Sequence, residues 1–103
     1  MSLTDSDIVF AHEMFAPLGL ITSRKMMGGL SIYCDGVIFS ILDQSATLYL
    51  KARGGFADEL ATAGSRQFGA ESGKTMCYWT LPDAAIDDAD MVLDWAKRAL
   101  SAL

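Results

Sequence analysis

Residues 20–51 read LITSRKMMGGLSIYCDGVIFSILDQSATLYLK, and this stretch decides the fold. It is rich in Ile, Val, Tyr and Phe, which favour strands, and turn residues interrupt it. Asp35-Gly36 is the strongest hairpin signal, because a type I′ turn needs positive φ at both central positions. Gly28-Gly29 and Asp43-Gln44-Ser45 supply two further breaks. The stretch predicts four antiparallel strands, at about 20–27, 29–34, 37–42 and 46–51.

A helix is predicted before this region. Thr4 or Asp5 can serve as its N-cap, and Asp7 follows Thr4 by three residues, where a carboxylate favours the positive end of a helix. Apolar residues then recur at three- and four-residue steps until Pro17 stops the pattern. The helix is expected over about 5–16.

The second half continues with helix and strand signals. A short helix starts near Phe56 and ends near Gly64, a suitable C′ residue, and Phe68 marks a buried anchor or a short strand. Residues 75–81 predict another strand, and the last helix begins at Asp87 or Asp88. The predicted order is α-β-β-β-β-α-β-β-α. This is an α+β fold, a two-layer antiparallel sheet with flanking helices, in a single domain over 1–103.

The composition excludes several classes of protein. Of the 103 residues 51% are apolar, with a formal net charge of −5, which excludes intrinsic disorder. Two Cys are too few for a disulfide-framed secreted domain, and no apolar run approaches the roughly 18–20 residues of a membrane span. The N-terminal residues do not form a signal peptide. A cytoplasmic domain without membrane association is therefore expected.

The negative charge lies in the terminal segments. Residues 1–23 and 75–103 carry −3 each, whereas residues 24–74 carry +1. A duplex-binding domain normally has a strong positive surface that neutralises phosphates. Direct DNA binding is therefore not expected.

Strand 37–42, Val-Ile-Phe-Ser-Ile-Leu, is apolar at nearly every position. Such a pattern is typical of a strand covered on both faces. We expect the helices of so small a domain to cover one face of the sheet and a second subunit to cover the other, forming a homodimer.

Two glycine-containing segments could bind anions. Gly28-Gly29, near Arg24 and Lys25, fits either an anion-binding turn or a bend between strands. The second segment, Ser72 to Thr75, resembles the end of a phosphate-binding loop. However, Phe68 stands where that motif needs Gly, and a strand rather than a helix follows. The nucleotide-binding interpretation is rejected.

His12, Cys34 and Cys77 are the candidates for nucleophilic or acid–base chemistry. The two Cys are not a CxxC pair, and a single His adds no ligand cluster, so neither a metal site nor a cofactor is expected. Cys34 is either a reactive thiol beside its turn or a small buried residue. A catalytic His–Cys pair would require the fold to bring these side chains together.

Aromatic residues on the predicted strands suggest a contact surface. Tyr33 and Tyr78-Trp79 have methionines as possible neighbours, and alternation places Tyr78 and Trp79 on opposite faces. Aromatic and Met enrichment is typical of interface cores and also of ordinary protein cores.

Together these segments resemble the N-terminal domain of the TfoX (Sxy) family over about residues 6–103. The resemblance rests on the ordered motifs RKMMGG (24–29), YCDG (33–36), LYLK (48–51) and MCYW (76–79). Met27 replaces the usual Phe and Ser40 the usual Ala. The helical C-terminal domain of longer members is expected to be absent.

The resemblance implies a regulator of competence for DNA transformation that acts with other transcription factors, and no catalytic site is established for the family. The family-motif positions are Arg24, Gly28, Gly29, Tyr33, Asp35, Gly36, Tyr49, Lys51, Tyr78 and Trp79. Most are expected to be structural, and Arg24 is the one whose guanidinium suits an acidic partner or a structural carboxylate.

Three functions are therefore considered. The first is a non-enzymatic regulatory or protein-interaction domain, forming a homodimer through an apolar sheet face. The second is a small-molecule-binding protein or enzyme that uses His12, Cys34 and Cys77. The third, direct binding of nucleic acid, is disfavoured by the charge.

Overall fold

The computed structural model describes residues 3–26, 29–69, 76–85 and 87–103. In them, five strands form one antiparallel sheet in the order β1-β2-β3-β4-β5, and three α-helices accompany it. The predicted α+β class is confirmed. The strands are β1 (Ile21–Met26), β2 (Gly29–Cys34), β3 (Val37–Leu42), β4 (Leu48–Lys51) and β5 (Tyr78–Thr80). The helices are α1 (Asp5–Phe15), α2 (Gly54–Thr62) and α3 (Ala89–Ser101).

The helix ends follow local hydrogen-bonding signals. Thr4 caps α1 in a capping box: its hydroxyl accepts from the Asp7 N–H at 3.2 Å, and the Asp7 carboxylate accepts from the Thr4 N–H at 3.0 Å. A 3₁₀ turn over Ala16–Leu18 follows α1 and contains Pro17. No helix within the described ranges has both the length and the apolar character needed to cross a bilayer.

The C-terminal end of α2 is closed by Gly64, as predicted. Gly64 has φ +99°, and its N–H bonds the Ala61 carbonyl at 3.1 Å, while the Ser65 N–H bonds the Leu60 carbonyl at 2.9 Å. These two bonds form a Schellman motif. Asp88 caps α3 by accepting from the backbone N–H groups of its first turn.

The hairpin between β2 and β3 is the type I′ turn predicted at Asp35-Gly36. The two residues have φ angles of +50° and +85°. Farther along, a β-bulge shifts the register, so that Ile32 pairs with Ser40 but Tyr33 pairs with Ile38. The intervening Phe39 is the extra residue, and its ring points into the core.

The helices cover one face of the sheet, where the main core lies. Phe15 of α1 meets Phe39 edge-to-face, with ring centroids 5.1 Å apart, and both rings are fully buried. The inward residues of the strands complete this core: Leu30, Ile32, Cys34, Leu42 and Leu50, with Ile21, Leu48 and Trp79 packed against them.

The opposite face of β3 is also buried, which confirms the prediction of two-sided cover. Ile41 pairs with Tyr49 and Ser31 rather than joining the helix-side core, yet it is only 3% exposed in a single chain. Phe68 lies over this side, with its ring edge-to-face to Tyr49 at 4.9 Å. The short strand considered near Phe68 is reduced to one isolated antiparallel β-bridge, between Gln67 and Trp79. Because one chain buries most of β3, this strand does not require a second subunit to cover it.

Replacing Phe15 with Ala is expected to lower the free energy of unfolding by about 3–5 kcal/mol, because the change leaves a cavity against Phe39. Phe10 lies on the same helix but is 62% exposed, so Phe10→Ala should change it by no more than about 0.5 kcal/mol. Urea unfolding followed by circular dichroism measures both. Similar losses in the two variants would contradict this description of the core.

Candidate interaction face

The sheet face away from the helices gathers most of the side chains singled out in the sequence. Residues paired across antiparallel strands share a face, so the register defines this surface, which we call the back face. Its members are Thr22, Arg24 and Met26 of β1, Ser31 and Tyr33 of β2, Ile38 and Ile41 of β3, Tyr49 and Lys51 of β4, and Tyr78 and Thr80 of β5.

Three tyrosines occupy the middle of the back face. Tyr49 donates its hydroxyl to the Asp43 carboxylate at 3.2 Å, and Phe68 packs against its ring. Tyr78 is buried, and burial raises the pKa of its phenol, with smaller contributions from Cys77 and Tyr33. Tyr33 contributes to the raised pKa of Tyr78 although two strands, β3 and β4, lie between β2 and β5.

Cations lie beside these tyrosines. Arg24 is exposed and Lys51 half-buried. Within the described ranges the one ion pair joins Arg98 to Glu59 at 2.8 Å, on the helix side, so neither Arg24 nor Lys51 pairs with a described carboxylate. The sequence suggested either an acidic partner or a structural carboxylate for Arg24, and the described residues provide no such carboxylate.

Asp35 and the glycines near it have structural roles. The Asp35 carboxylate accepts from the Leu20 N–H at 3.0 Å, while its own N–H bonds the Leu20 carbonyl at 2.9 Å. A Cβ on Gly19 would lie 2.9 Å from that carboxylate, and one on Gly29 would lie 2.6 Å from the Leu42 carbonyl oxygen. Glycine is thus required by close approach at both places.

The predictions for Trp79 and for the two glycine-containing segments have different outcomes. Trp79 pairs with Leu50 and packs against the helix-side core, so it and Tyr78 lie on opposite faces, as alternation predicted. Gly28, and with it the choice between an anion-binding turn and a bend, lies outside the described residues. The rejected phosphate-loop segment at 72–75 also lies outside them.

The fold does not assemble His12, Cys34 and Cys77 into one site. His12 Nε2 lies 2.7 Å from the Ser23 hydroxyl, Cys34 Sγ lies 3.7 Å from the Leu18 carbonyl oxygen, and Cys77 receives an Arg53 N–H at 3.6 Å. Cys34 belongs to β2 and Cys77 precedes β5, with β3 and β4 between them. At about 4.8 Å per strand, this separation keeps the two thiols apart, so His12 cannot form one site with both of them.

A separate cavity of about 300 Å³ opens on the helix side. Its walls include Phe10, Met14, Leu48, Arg66 and Asp83. None of the three candidate catalytic residues lines it. The cavity therefore adds no support for the chemistry proposed for those residues.

Asp43 and Arg53 are contributors to this region that sequence reasoning did not single out. Asp43 was predicted only as part of a turn, yet it accepts from the N–H groups of Ser45 and Thr47 as well as from the Tyr49 hydroxyl. Arg53 is close enough to lower the pKa of Tyr78 against the effect of burial. Its period-two spacing from Lys51 is the signal that could have identified it.

In a comparison with protein-family models, the model for the TfoX N-terminal domain matches residues 13–103 of this chain. The chain belongs to the TfoX N-terminal domain family. A search of curated proteins found no significant match. Among its described family-motif residues, Arg24, Tyr33, Tyr49, Lys51 and Tyr78 lie on the back face. In this TfoX N-terminal domain, Gly29, Asp35 and Gly36 shape the hairpins at its edges.

The two thiols should differ in reactivity. Burial first, and then the Asp35 carboxylate, raise the pKa of Cys34, so its thiol stays protonated where an unfolded cysteine, with a pKa of about 8.5, ionises. At pH 8, Ellman's reagent should modify Cys77 quickly and Cys34 only after addition of denaturant. The raised pKa also means that Cys34 contributes less stability as the pH rises above about 8.5.

Cys77→Ser is the matched control, because it should abolish the fast phase and leave only the slow thiol. A fast phase that persists in this variant would contradict the prediction. With Cys34→Ala, the decline in unfolding free energy between pH 8 and pH 10 should become smaller, measured by urea titration at each pH.

Proposed function

We propose that this chain is a non-enzymatic, cytoplasmic regulatory domain that acts in competence for DNA transformation by binding another protein through its back face. The observation that carries the proposal is the convergence of Arg24, Tyr33, Tyr49, Lys51 and Tyr78 on one side of the sheet. They come from four strands, and helix-side packing does not explain why these residue types gather there.

The chemistry of the back face suits an acidic protein surface. Tyr and Arg are the side chains that most often dominate binding energy at interfaces. Arg24 supplies a planar guanidinium that can bind a carboxylate through two parallel hydrogen bonds. Because no described carboxylate pairs with Arg24 or Lys51, both charges are available to a partner.

The negative charge of the chain has a structural role elsewhere. Asp7 completes the capping box of α1, and Asp88 caps α3. Acidic residues stabilise helix N-termini through the helix dipole. The acidity of the terminal segments thus belongs to the helical layer, whereas the strands that form the back face carry the cations.

His12, Cys34 and Cys77 each have a different hydrogen-bond partner, and two strands lie between the two thiols, which supports the non-enzymatic part of the proposal. His12 bonds Ser23 between α1 and β1, which makes it a link between a helix and the sheet. Burial keeps the Cys34 thiol protonated, and a protonated thiol is a poor nucleophile.

Reversing the charge at Arg24 should disrupt the function. In source cells deleted for the gene, wild-type complementation should restore transformation frequency and transcription of DNA-uptake genes. Arg24→Glu should lower both by about tenfold or more, the loss expected for an interfacial arginine that contributes at least 1.4 kcal/mol. Lys97→Glu makes the same change of charge at an exposed position of α3 and should complement normally.

A photocrosslinker identifies the partner in the same cells. Benzoylphenylalanine in place of Tyr33 should yield a crosslinked protein that is absent when the same group replaces Val9, which is exposed on α1. Circular dichroism verifies that each variant folds. A deletion without any effect on transformation, or full complementation by Arg24→Glu, would overturn the proposal.

Direct binding to duplex DNA is expected to be absent. The formal charge of −5 and the small number of cations on the back face cannot supply the phosphate neutralisation on which non-specific affinity depends. Titration of a labelled duplex at about 20 mM salt, where such binding is strongest, should give no anisotropy change at micromolar protein. Salt-sensitive binding that is lost in Arg24→Glu would show that the face binds nucleic acid instead.

A further inference from the structure

The two edges of the sheet differ in their backbone hydrogen bonding. At β5 the chain folds back alongside the strand: the Phe68 N–H bonds the Tyr78 carbonyl at 2.8 Å, and the Thr80 N–H bonds the Arg66 carbonyl at 2.9 Å. At β1, the opposite edge, no segment of the described residues pairs with the outer side. A strand with an unpaired edge is a template for pairing with another chain.

The hydrogen-bond alternation of β1 shows which groups face outward. The Asp35 N–H bonds the Leu20 carbonyl, and hydrogen-bonded positions recur at every second residue of an antiparallel pair. Thr22, Arg24 and Met26 therefore bond β2. It follows that Ile21, Ser23 and Lys25 direct their N–H and C=O groups away from the sheet.

We propose that β1 pairs antiparallel with β1 of a second copy of this chain, around a two-fold axis at Ser23. In this register Ser23 faces its counterpart, and Ile21 faces Lys25 of the other copy. All three are residues whose backbone groups point outward, so each facing pair can exchange two hydrogen bonds. A two-fold axis makes the interface self-complementary, as in most homodimers.

The side chains favour this register over its neighbours. Leu20, which is 70% exposed, would face Met26 of the other copy, which is 43% exposed, and Thr22 would face Arg24. An axis at Arg24 or at Lys25 would instead set two like charges directly opposite, which destabilises strand pairing. An axis at Ser23 avoids this and also aligns the whole of β1.

An extended acidic peptide could also pair with this edge, and the dependence of binding on salt distinguishes it from the dimer because Arg24 and Lys25 are positively charged. In the dimer, the two Arg24 side chains lie at diagonal positions on one face of the sheet, so added salt should screen their repulsion and strengthen association. An extended acidic peptide on this edge would instead bind less tightly as salt rises. The dimer is proposed because it pairs the two exposed apolar side chains as well as the backbone.

Proline at position 25 tests the backbone pairing. Lys25→Pro removes an N–H that points outward and is not bonded to β2, so an edge strand can accommodate it. By symmetry it removes two intermolecular hydrogen bonds. Lys25→Ala is the matched control, because it removes the same charge but keeps the N–H.

Sedimentation equilibrium at about 1–200 μM, a range that brackets a micromolar dissociation constant, should show dimers of the wild type and of Lys25→Ala. Lys25→Pro should weaken dimerisation by about tenfold or more, with an unchanged far-UV circular dichroism spectrum. A wild type that stays monomeric throughout, or equal dimerisation by the two variants, would overturn the proposal.

A disulfide test of the register does not depend on how well the proline variant folds. In a Cys77→Ser background, Thr22→Cys and Arg24→Cys chains are mixed and oxidised. Directly facing positions that are not hydrogen-bonded have Cα atoms about 4.5 Å apart, within the range of a disulfide. The mixture should therefore give a heterodimer more than tenfold faster than Thr22→Cys mixed with Met26→Cys, and equal rates would refute the register.

Discussion

The arrangement of this domain depends on the register of the β2–β3 hairpin, and Asp35 is the residue that fixes it. With Gly36 it forms the type I′ turn, and its carboxylate and N–H both bond the backbone of Leu20. One residue thus sets the pairing of β2 with two neighbours. Because a slip by one residue would exchange the two faces of a strand, both the helix-side core and the back face depend on this register.

A single β-bulge in β3 determines which of the apolar residues of this strand face the helices and which lie on the back face. Phe39 is the extra residue in β3, so it and Ser40 are both directed toward the helices, while Ile38 and Ile41 remain on the back face. Phe15 can then pack on Phe39. Without the bulge, Phe39 would belong to the back face, and α1 would lose its main aromatic contact.

Features set by neighbours in sequence could be predicted, and those set by distant neighbours could not. The Thr4 cap, the Asp35-Gly36 turn and the Gly64 C′ position depend on backbone angles and bonds within a few residues. The bulge depends instead on which ring best fills the space beneath α1. The approach of Phe68 to Tyr49 depends on a return of the chain from α2, which no periodicity encodes. For the same reason the tyrosines could be identified singly, but their gathering on one face required the sheet order.

The covered and open edges of the sheet connect the two proposals. An antiparallel pair of β1 strands would have its two-fold axis perpendicular to the sheet, since facing residues share a face. Both back faces would then point the same way and form one continuous surface, with Arg24 of each copy close to the axis. A partner that repeats its acidic motif could engage both halves, and the second contact would form at high effective concentration. Weak binding at each face would therefore suffice, which suits a domain whose back face presents few charges.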